Sequence, residues 1–147
     1  MKNNKYYRVY AEINLDAIVK NVDNLMALTK ENTGALAVVK ADGYGHGDVA
    51  VAKAVAQKVT GYAVATLDEA VNLRENGVKK PILVLGYVDP YEFDILVSHE
   101  ITATVFDVET AQLLADAARV QKKQAHCHIK VDTGMRRIGL EPDENGI

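Results

Sequence analysis

The sequence predicts an α/β fold built on a parallel sheet, either doubly wound or closed into a barrel. Strand-type and helix-type patterns of apolar residues alternate along the chain, and the two segments richest in reactive side chains each follow a predicted strand. Ligands of such folds bind at the carboxyl ends of the strands, so we expect both segments at one edge of the sheet. The composition, with 147 residues, 48% hydrophobic and 25% charged, is typical of a globular domain.

The elements are predicted from short aliphatic or β-branched runs and from apolar stripes with helical spacing. Strands are expected at residues 7–13, 35–39, 62–65, 82–85, 102–105 and 126–131. Helices are expected at residues 15–30, 48–58, 67–76, 90–99 and 108–121. The strand at 35–39 is aliphatic on both faces, as in a buried strand of a parallel sheet. After the first helix, the chain therefore carries four complete strand-and-helix units and the strand that begins a fifth.

Residues 39–47, Val-Lys-Ala-Asp-Gly-Tyr-Gly-His-Gly, carry the strongest chemical signal. Lys40 ends an apolar strand, and an amine in a partly desolvated site can act as a nucleophile or base and form a Schiff base. The glycines allow the backbone to turn sharply and approach a ligand, and the next helix offers unpaired amides at its start. Tyr44 adds a hydroxyl that could reach a phosphate. The pattern favours an aldehyde cofactor that bears a phosphate.

Two other interpretations of this segment remain open on the residues alone. A dinucleotide-binding Gly-x-Gly-x-x-Gly turn would need its third glycine where Asp48 stands, although Asp68 lies about 20 residues on, where a ribose-binding acid is expected. Alternatively, Lys40 could simply extend from the strand end into solvent beside a flexible turn.

His126, Cys127 and His128 are consecutive, but they do not predict a metal site. Neighbouring residues of a strand point to opposite faces, so the two histidines share a face with Lys130 while Cys127 lies on the other. We expect Cys127 to pack structurally. As the only cysteine it cannot form an internal disulfide, which favours the reducing cytoplasm.

Charge and hydropathy exclude further classes of function. The formal net charge is −3 and the basic residues are dispersed, so no basic stripe suggests a nucleic-acid partner. No run of about 18 apolar residues predicts a membrane span, and no secretion signal is recognised. The expected partner is a small molecule.

Residues 37–47 resemble the cofactor signature of bacterial alanine racemases. Residues 130–139 resemble a later motif of that family, and residues 83–86, Leu-Val-Leu-Gly, are also typical of it. The resemblance implies that Lys40 binds pyridoxal 5'-phosphate covalently and acts as a catalytic base. The resemblance places Leu85 in the cofactor site. This sequence departs from the family at Arg136, where family members usually have a small residue. The remaining roles are phosphate contact by Tyr44, cofactor and substrate contact by Arg137, substrate contact by Met135, and a possible carbamate on Lys130 that orients Arg137.

The resemblance also implies an architecture, a (β/α)8 TIM-type barrel of which this chain carries about the first five strands. Residues 15–147 would form part of the barrel, and residues 1–14 would hold a strand associated with a C-terminal β domain. The chain is thus expected to be truncated and inactive alone, because that domain supplies the second base, a tyrosine, of a homodimeric enzyme.

The predicted function is racemisation of L- and D-alanine, which supplies D-alanine for cell-wall peptidoglycan. A non-catalytic barrel that binds pyridoxal phosphate and a racemase for another small amino acid, such as serine, remain alternatives.

Overall fold

Five parallel strands form one sheet in the computed structural model, which describes residues 9–142. The strands are β1 (Leu36–Val38), β2 (Gly61–Val64), β3 (Ile82–Val84), β4 (Thr102–Val105) and β5 (His126–Ile129). Each strand pairs in parallel with the next, so spatial order follows chain order. A doubly wound sheet reverses its order at a switch point, whereas a barrel does not. The predicted TIM-type architecture with five strands is therefore confirmed.

Helices separate the strands. They are α1 (Leu15–Met26), α2 (Lys40–Gly45), α3 (Asp48–Ala54), α4 (Leu67–Glu75), α5 (Phe93–Ser98), which a 3₁₀ turn (Pro90–Glu92) precedes, and α6 (Val108–Val120). Side chains cap the starts of several: Asn14 accepts the Ala17 amide at 2.9 Å, and Asp107 accepts the Thr110 amide at 2.6 Å. The predicted helices are thus present, and the glycine-rich segment adds α2, which was expected to be a loop.

The core lies between the sheet and these helices. Tyr62, Val64, Ile82 and Val84 are buried on this side, and the Tyr62 hydroxyl donates a 2.6 Å hydrogen bond to the carbonyl of Ala52 in α3. Burial raises the pKa of that hydroxyl. Because side chains alternate along a strand, the intervening residues face the opposite, concave side of the sheet. Ala65 and Leu85, directly after β2 and β3, continue this alternation away from the core, as does Lys40, the second residue after β1.

Two expectations from the sequence differ from the structure. Residues 9–13 form no strand, and the rest of the predicted strand at 7–13 lies outside the described residues. Cys127 is exposed rather than packed, because no helix in residues 9–142 covers the outer face of β5. No helix of this part of the chain has the length and apolar character needed to cross a bilayer.

Candidate active site

A cleft of about 270 Å³ lies at the carboxyl ends of β1, β2 and β3. It is lined by Lys40, Ala65, Leu85, Gly86, Tyr87, Arg137 and Ile138. Three of the residues singled out from the sequence, Lys40, Leu85 and Arg137, therefore meet at one site although they are far apart in the chain. This is the edge of the sheet at which parallel α/β folds bind ligands.

Lys40 presents a half-buried amine to this cleft. Its Nζ lies 5.8 Å from the ring centroid of Tyr44. The ion pairs within residues 9–142 join Lys58 to Asp23 and Arg119 to Asp116, so no carboxylate of this region lies within 4.0 Å of the Lys40 amine. The amine has no ionic partner there that would compete with a ligand.

The backbone after Lys40 is left-handed. Residues Ala41, Asp42, Gly43 and Tyr44 have φ between 51° and 60°, which makes most of α2 a left-handed turn. For residues other than glycine this conformation costs about 1–2 kcal/mol each. Backbone hydrogen bonds hold it, from the Gly43 amide to the Val39 carbonyl at 2.9 Å and from the Gly47 amide to the Asp42 carbonyl at 2.8 Å. Strain of this kind persists where the surroundings over-determine the backbone, often at functional sites.

Helix α4 supports this turn through Glu69. One carboxylate oxygen of Glu69 accepts the Ala41 amide at 2.7 Å, and the other accepts the Ala65 amide at 2.7 Å. Glu69 was not among the residues predicted from the sequence to belong to the site. The pattern Thr66-x-x-Glu69 is a capping box that marks the start of α4, and it could have singled out Glu69. It could not have predicted a bond to a residue 28 positions away.

The first two amides of α3 are not free to bind a phosphate, contrary to expectation. The Asp48 amide donates to Asp42 Oδ1 at 3.1 Å, and the Val49 amide donates to the carboxylate of Asp48 at 2.6 Å. Two carboxylates beside these amides would repel an anion. Tyr44 is 59% exposed and does not line the cleft, although its ring lies near Lys40.

Arg137 is carried by a closed loop, residues 131–140. The Asp132 amide donates to the Leu140 carbonyl at 2.8 Å, and the Leu140 amide donates to the Lys130 carbonyl at 2.9 Å. Gly139 is required at this closure, because a Cβ there would lie 2.6 Å from the Asp132 nitrogen and its φ is +139°. The loop thereby returns the chain beside β5, with Arg137 directed into the cleft.

Asp132 organises the interior of the same loop. Its Oδ1 accepts the Arg136 amide at 3.0 Å and the Gly134 amide at 2.9 Å. These bonds, led by that from Arg136, lower the pKa of the Asp132 carboxyl, with a smaller contribution from the charge of Lys130. Arg136 lines a separate depression with Asp132 and Glu141, so the two adjacent arginines face different sites.

The other predicted site residues do not line the cleft. Lys130 is half-buried and extends β5, with its amide bonded to the Val105 carbonyl at 2.9 Å. Met135 is 73% exposed. Within residues 9–142 no group of His, Cys, Asp or Glu side chains is arranged to hold a metal ion.

A second depression, of about 350 Å³, lies at the amino ends of β4 and β5, away from Lys40. Arg74 contributes to its wall, but the Arg74 guanidinium donates to the carbonyls of Val78, Lys80, His99 and Glu100. Burial lowers the pKa of this guanidinium and the charge of Glu100 partly opposes that effect. Because these donors link loops of the protein, the role of Arg74 is structural.

Comparison with known proteins gives consistent matches. The family described as "Alanine racemase, N-terminal domain" matches residues 13–146. An alanine racemase of Desulforamulus reducens is 45% identical over 140 residues, which cover 95% of this chain and 38% of that protein. The solved structure of the alanine racemase of Clostridium difficile 630 superposes with a TM-score of 0.90 at 42% identity, over 95% of this chain and 37% of that one.

A histidine racemase of Leuconostoc mesenteroides also superposes, with a TM-score of 0.78 at 30% identity, over 85% of this chain and 34% of that one. The chain thus spans somewhat more than a third of the length of the relatives that it matches.

Proposed function

Because this chain belongs to the alanine racemase family, within its N-terminal domain, we propose that the Lys40 cleft binds pyridoxal 5'-phosphate and contributes to racemisation of L- and D-alanine. The observation that carries this proposal is that Lys40 and Arg137, nearly 100 residues apart in the chain, line one cleft.

The side chains of the cleft fit this cofactor. Lys40 offers an amine to an aldehyde, Leu85 and Ile138 offer apolar surface to an aromatic ring, and Arg137 offers a cation to a phenolate oxygen. When bound, pyridoxal phosphate supplies an electron sink that acidifies the α-proton of an attached amino acid.

Lys40 has two roles in this proposal, covalent attachment and proton transfer. Its amine stands at the rim of the cleft with no carboxylate of residues 9–142 paired to it, so it can take and return the α-proton on one face of the substrate. By likeness to the family, this is the face from which D-alanine is deprotonated. A group on the opposite face must complete the exchange; in the family it is a tyrosine of the C-terminal domain.

In the bound state Arg137 would orient the cofactor and the substrate carboxylate, Tyr44 would contact the phosphate, and Met135 would border the substrate. A carbamate on Lys130 would turn that cation into an anion able to hold the Arg137 guanidinium by two hydrogen bonds. Electron density at the tip of Lys130, or the mass that a carbamate adds to the intact protein, tests this assignment. Homodimer formation, a cytoplasmic location and the supply of D-alanine to peptidoglycan complete the proposal at the level of the whole protein.

A racemase for another amino acid is the second candidate. The likeness to a histidine racemase at 30% identity favours this candidate, because similar barrels then act on amino acids whose side chains differ in size. Loss of the α-hydrogen in heavy water, measured for alanine, serine and histidine with the full-length product of the gene, distinguishes the substrates. Exchange with none of them would favour a protein that binds the cofactor without catalysis.

The proposed role of Lys40 is tested by Lys40→Ala, with Lys53→Ala on the exposed side of α3 as the matched control. We expect K40A to lose the visible absorbance of lysine-bound cofactor and the mass added on borohydride reduction, and K53A to keep both. Unchanged absorbance in K40A would refute the proposal.

A further inference from the structure

We infer that Glu69 is a positioning residue for Lys40, holding the backbone on which the amine is presented to the cofactor. The inference rests on the proposed function, because it concerns the same lysine. It adds a residue from α4 that neither contacts the cleft nor belongs to the two family-like motifs.

The Glu69 carboxylate accepts the Thr66 amide within the capping box at 3.3 Å, and its two other hydrogen bonds reach both neighbouring strand ends at the cleft. The Ala41 amide belongs to the peptide that follows Lys40, and its bond to Oε1 is 2.7 Å long. Ala65 itself lines the cleft, and its amide donates to Oε2 at 2.7 Å. One carboxylate therefore fixes the peptide plane after Lys40 relative to the adjacent wall of the site.

Only a carboxylate can make both bonds. Both partners are N–H donors, and a carboxylate has two acceptor oxygens, whereas an amide side chain has one oxygen and an NH₂ group. In Glu69→Gln one of the two backbone amides would face another donor. Glutamine still suits the capping position of a helix, so the substitution removes the link between the strands more selectively than it weakens α4.

A second contact from α4 reaches the next residue of the left-handed turn, Asp42. Asn72, one helical turn after Glu69, donates to Asp48 Oδ2 at 2.9 Å, and the Asp48 amide donates to Asp42 Oδ1 at 3.1 Å. Ala41 and Asp42 are thus bonded, directly or through Asp48, to one face of α4. These bonds help to hold the first two left-handed residues after Lys40, neither of which is glycine.

The test uses Glu69→Gln in the full-length product of the gene, with two matched controls. Asp68→Asn removes an exposed carboxylate from the same first turn of α4, and Thr66→Ala removes the capping hydroxyl. We expect E69Q to raise the dissociation constant for pyridoxal phosphate about tenfold, measured from absorbance of the lysine-bound cofactor. D68N and T66A are expected to change it less than about threefold.

Amide hydrogen exchange supplies a readout independent of the cofactor. In the unsubstituted protein the Ala41 and Ala65 amides should be protected, and E69Q should accelerate exchange at Ala41 while leaving α4 unchanged. If E69Q does not fold, rapid exchange of Ala41 in the unsubstituted protein overturns the inference and slow exchange supports it.

The outcomes separate the two proposals. Equal cofactor affinity in E69Q and the unsubstituted protein, with binding still lost in K40A, overturns the role of Glu69 and leaves the proposed function intact. Absence of covalent cofactor in the unsubstituted protein overturns both. An effect in T66A as large as in E69Q assigns the loss to weakening of α4 and also overturns the inference.

Discussion

At the scale of single residues, the site depends on which of two adjacent arginines faces Lys40. Arg137 lines the Lys40 cleft, whereas Arg136 lines a depression with Asp132 and Glu141. The backbone explains the difference, because Arg136 has φ +53° and the turn at this residue directs successive side chains apart. The chain thus keeps Arg137 in the cleft even though Arg136 stands where the family usually has a small residue.

This arrangement predicts unequal effects of the same substitution at neighbouring positions. Arg137→Gln should weaken binding of pyridoxal phosphate about tenfold, because a charge-assisted contact is lost. Arg136→Gln is the matched control and should change the affinity less than about twofold. Titration of both variants with the cofactor, followed by absorbance, provides the comparison. Equal losses in both variants would show that the assignment of Arg137 to the cleft is wrong.

The resemblance of residues 37–47 and 130–139 to two family motifs predicted that Lys40 and Arg137 share a site, and both residues line one cleft. The apolar pattern alone placed each of them after a strand. The same reasoning could not predict Glu69. Its partner amides lie at Ala41 and Ala65 on two strand ends, and backbone donors leave no trace in side-chain patterns.

At the scale of elements, apolar alternation predicted the sheet well because its strands are short and covered by helices. Strand β4 was predicted with its exact bounds, and β1, β2 and β3 were predicted within one or two residues. The glycine-rich segment was predicted less well. Its left-handed geometry is imposed at Ala41 and Asp42 by contacts from α4 and from the chain around them. The intrinsic backbone preferences of these two residues predict a different conformation. Cys127 was misplaced because its prediction assumed a covered outer face on β5.

The loop that carries Arg137 is expected to depend on pH through Asp132. The pKa of the Asp132 carboxyl is lowered in the folded state, chiefly by the hydrogen bond from the Arg136 amide. At pH values above the ordinary pKa of 3.8, the ionised carboxylate therefore stabilises the folded protein. That contribution is lost as the pH falls through the lower, folded value. Asp132→Asn keeps an acceptor oxygen and removes the charge, so it should be less stable than the unsubstituted chain near pH 6, and the difference should shrink as the pH falls below 3.8.

Urea unfolding of both proteins across this pH range measures the difference directly. If the difference in the free energy of unfolding between the two proteins stays constant as the carboxyl becomes protonated, the role of the Asp132 charge is contradicted.

At the scale of the whole molecule, the sheet of residues 9–142 is not closed. Strand β1 pairs only with β2, and β5 pairs only with β4, so each presents an unpaired edge within this region. Apolar side chains are exposed beside these edges: Leu36 and Val38 are each 43% exposed and Ile129 is 69% exposed. Open edges with apolar neighbours pair readily with other chains.

We therefore expect the 147-residue chain to self-associate as its concentration rises, through these edges. Ile129 is in register with the buried Val105 and would be covered in an associated form. Ile129→Lys should raise the dissociation constant of self-association about tenfold, because a charge at an edge strand must be desolvated on pairing. Val108→Lys, at an 86% exposed position of α6 away from both edges, is the matched control and should leave association unchanged. Sedimentation velocity over a concentration series measures both. If the chain stays monomeric at every concentration, or if V108K weakens association as much as I129K does, the open edges do not govern its association.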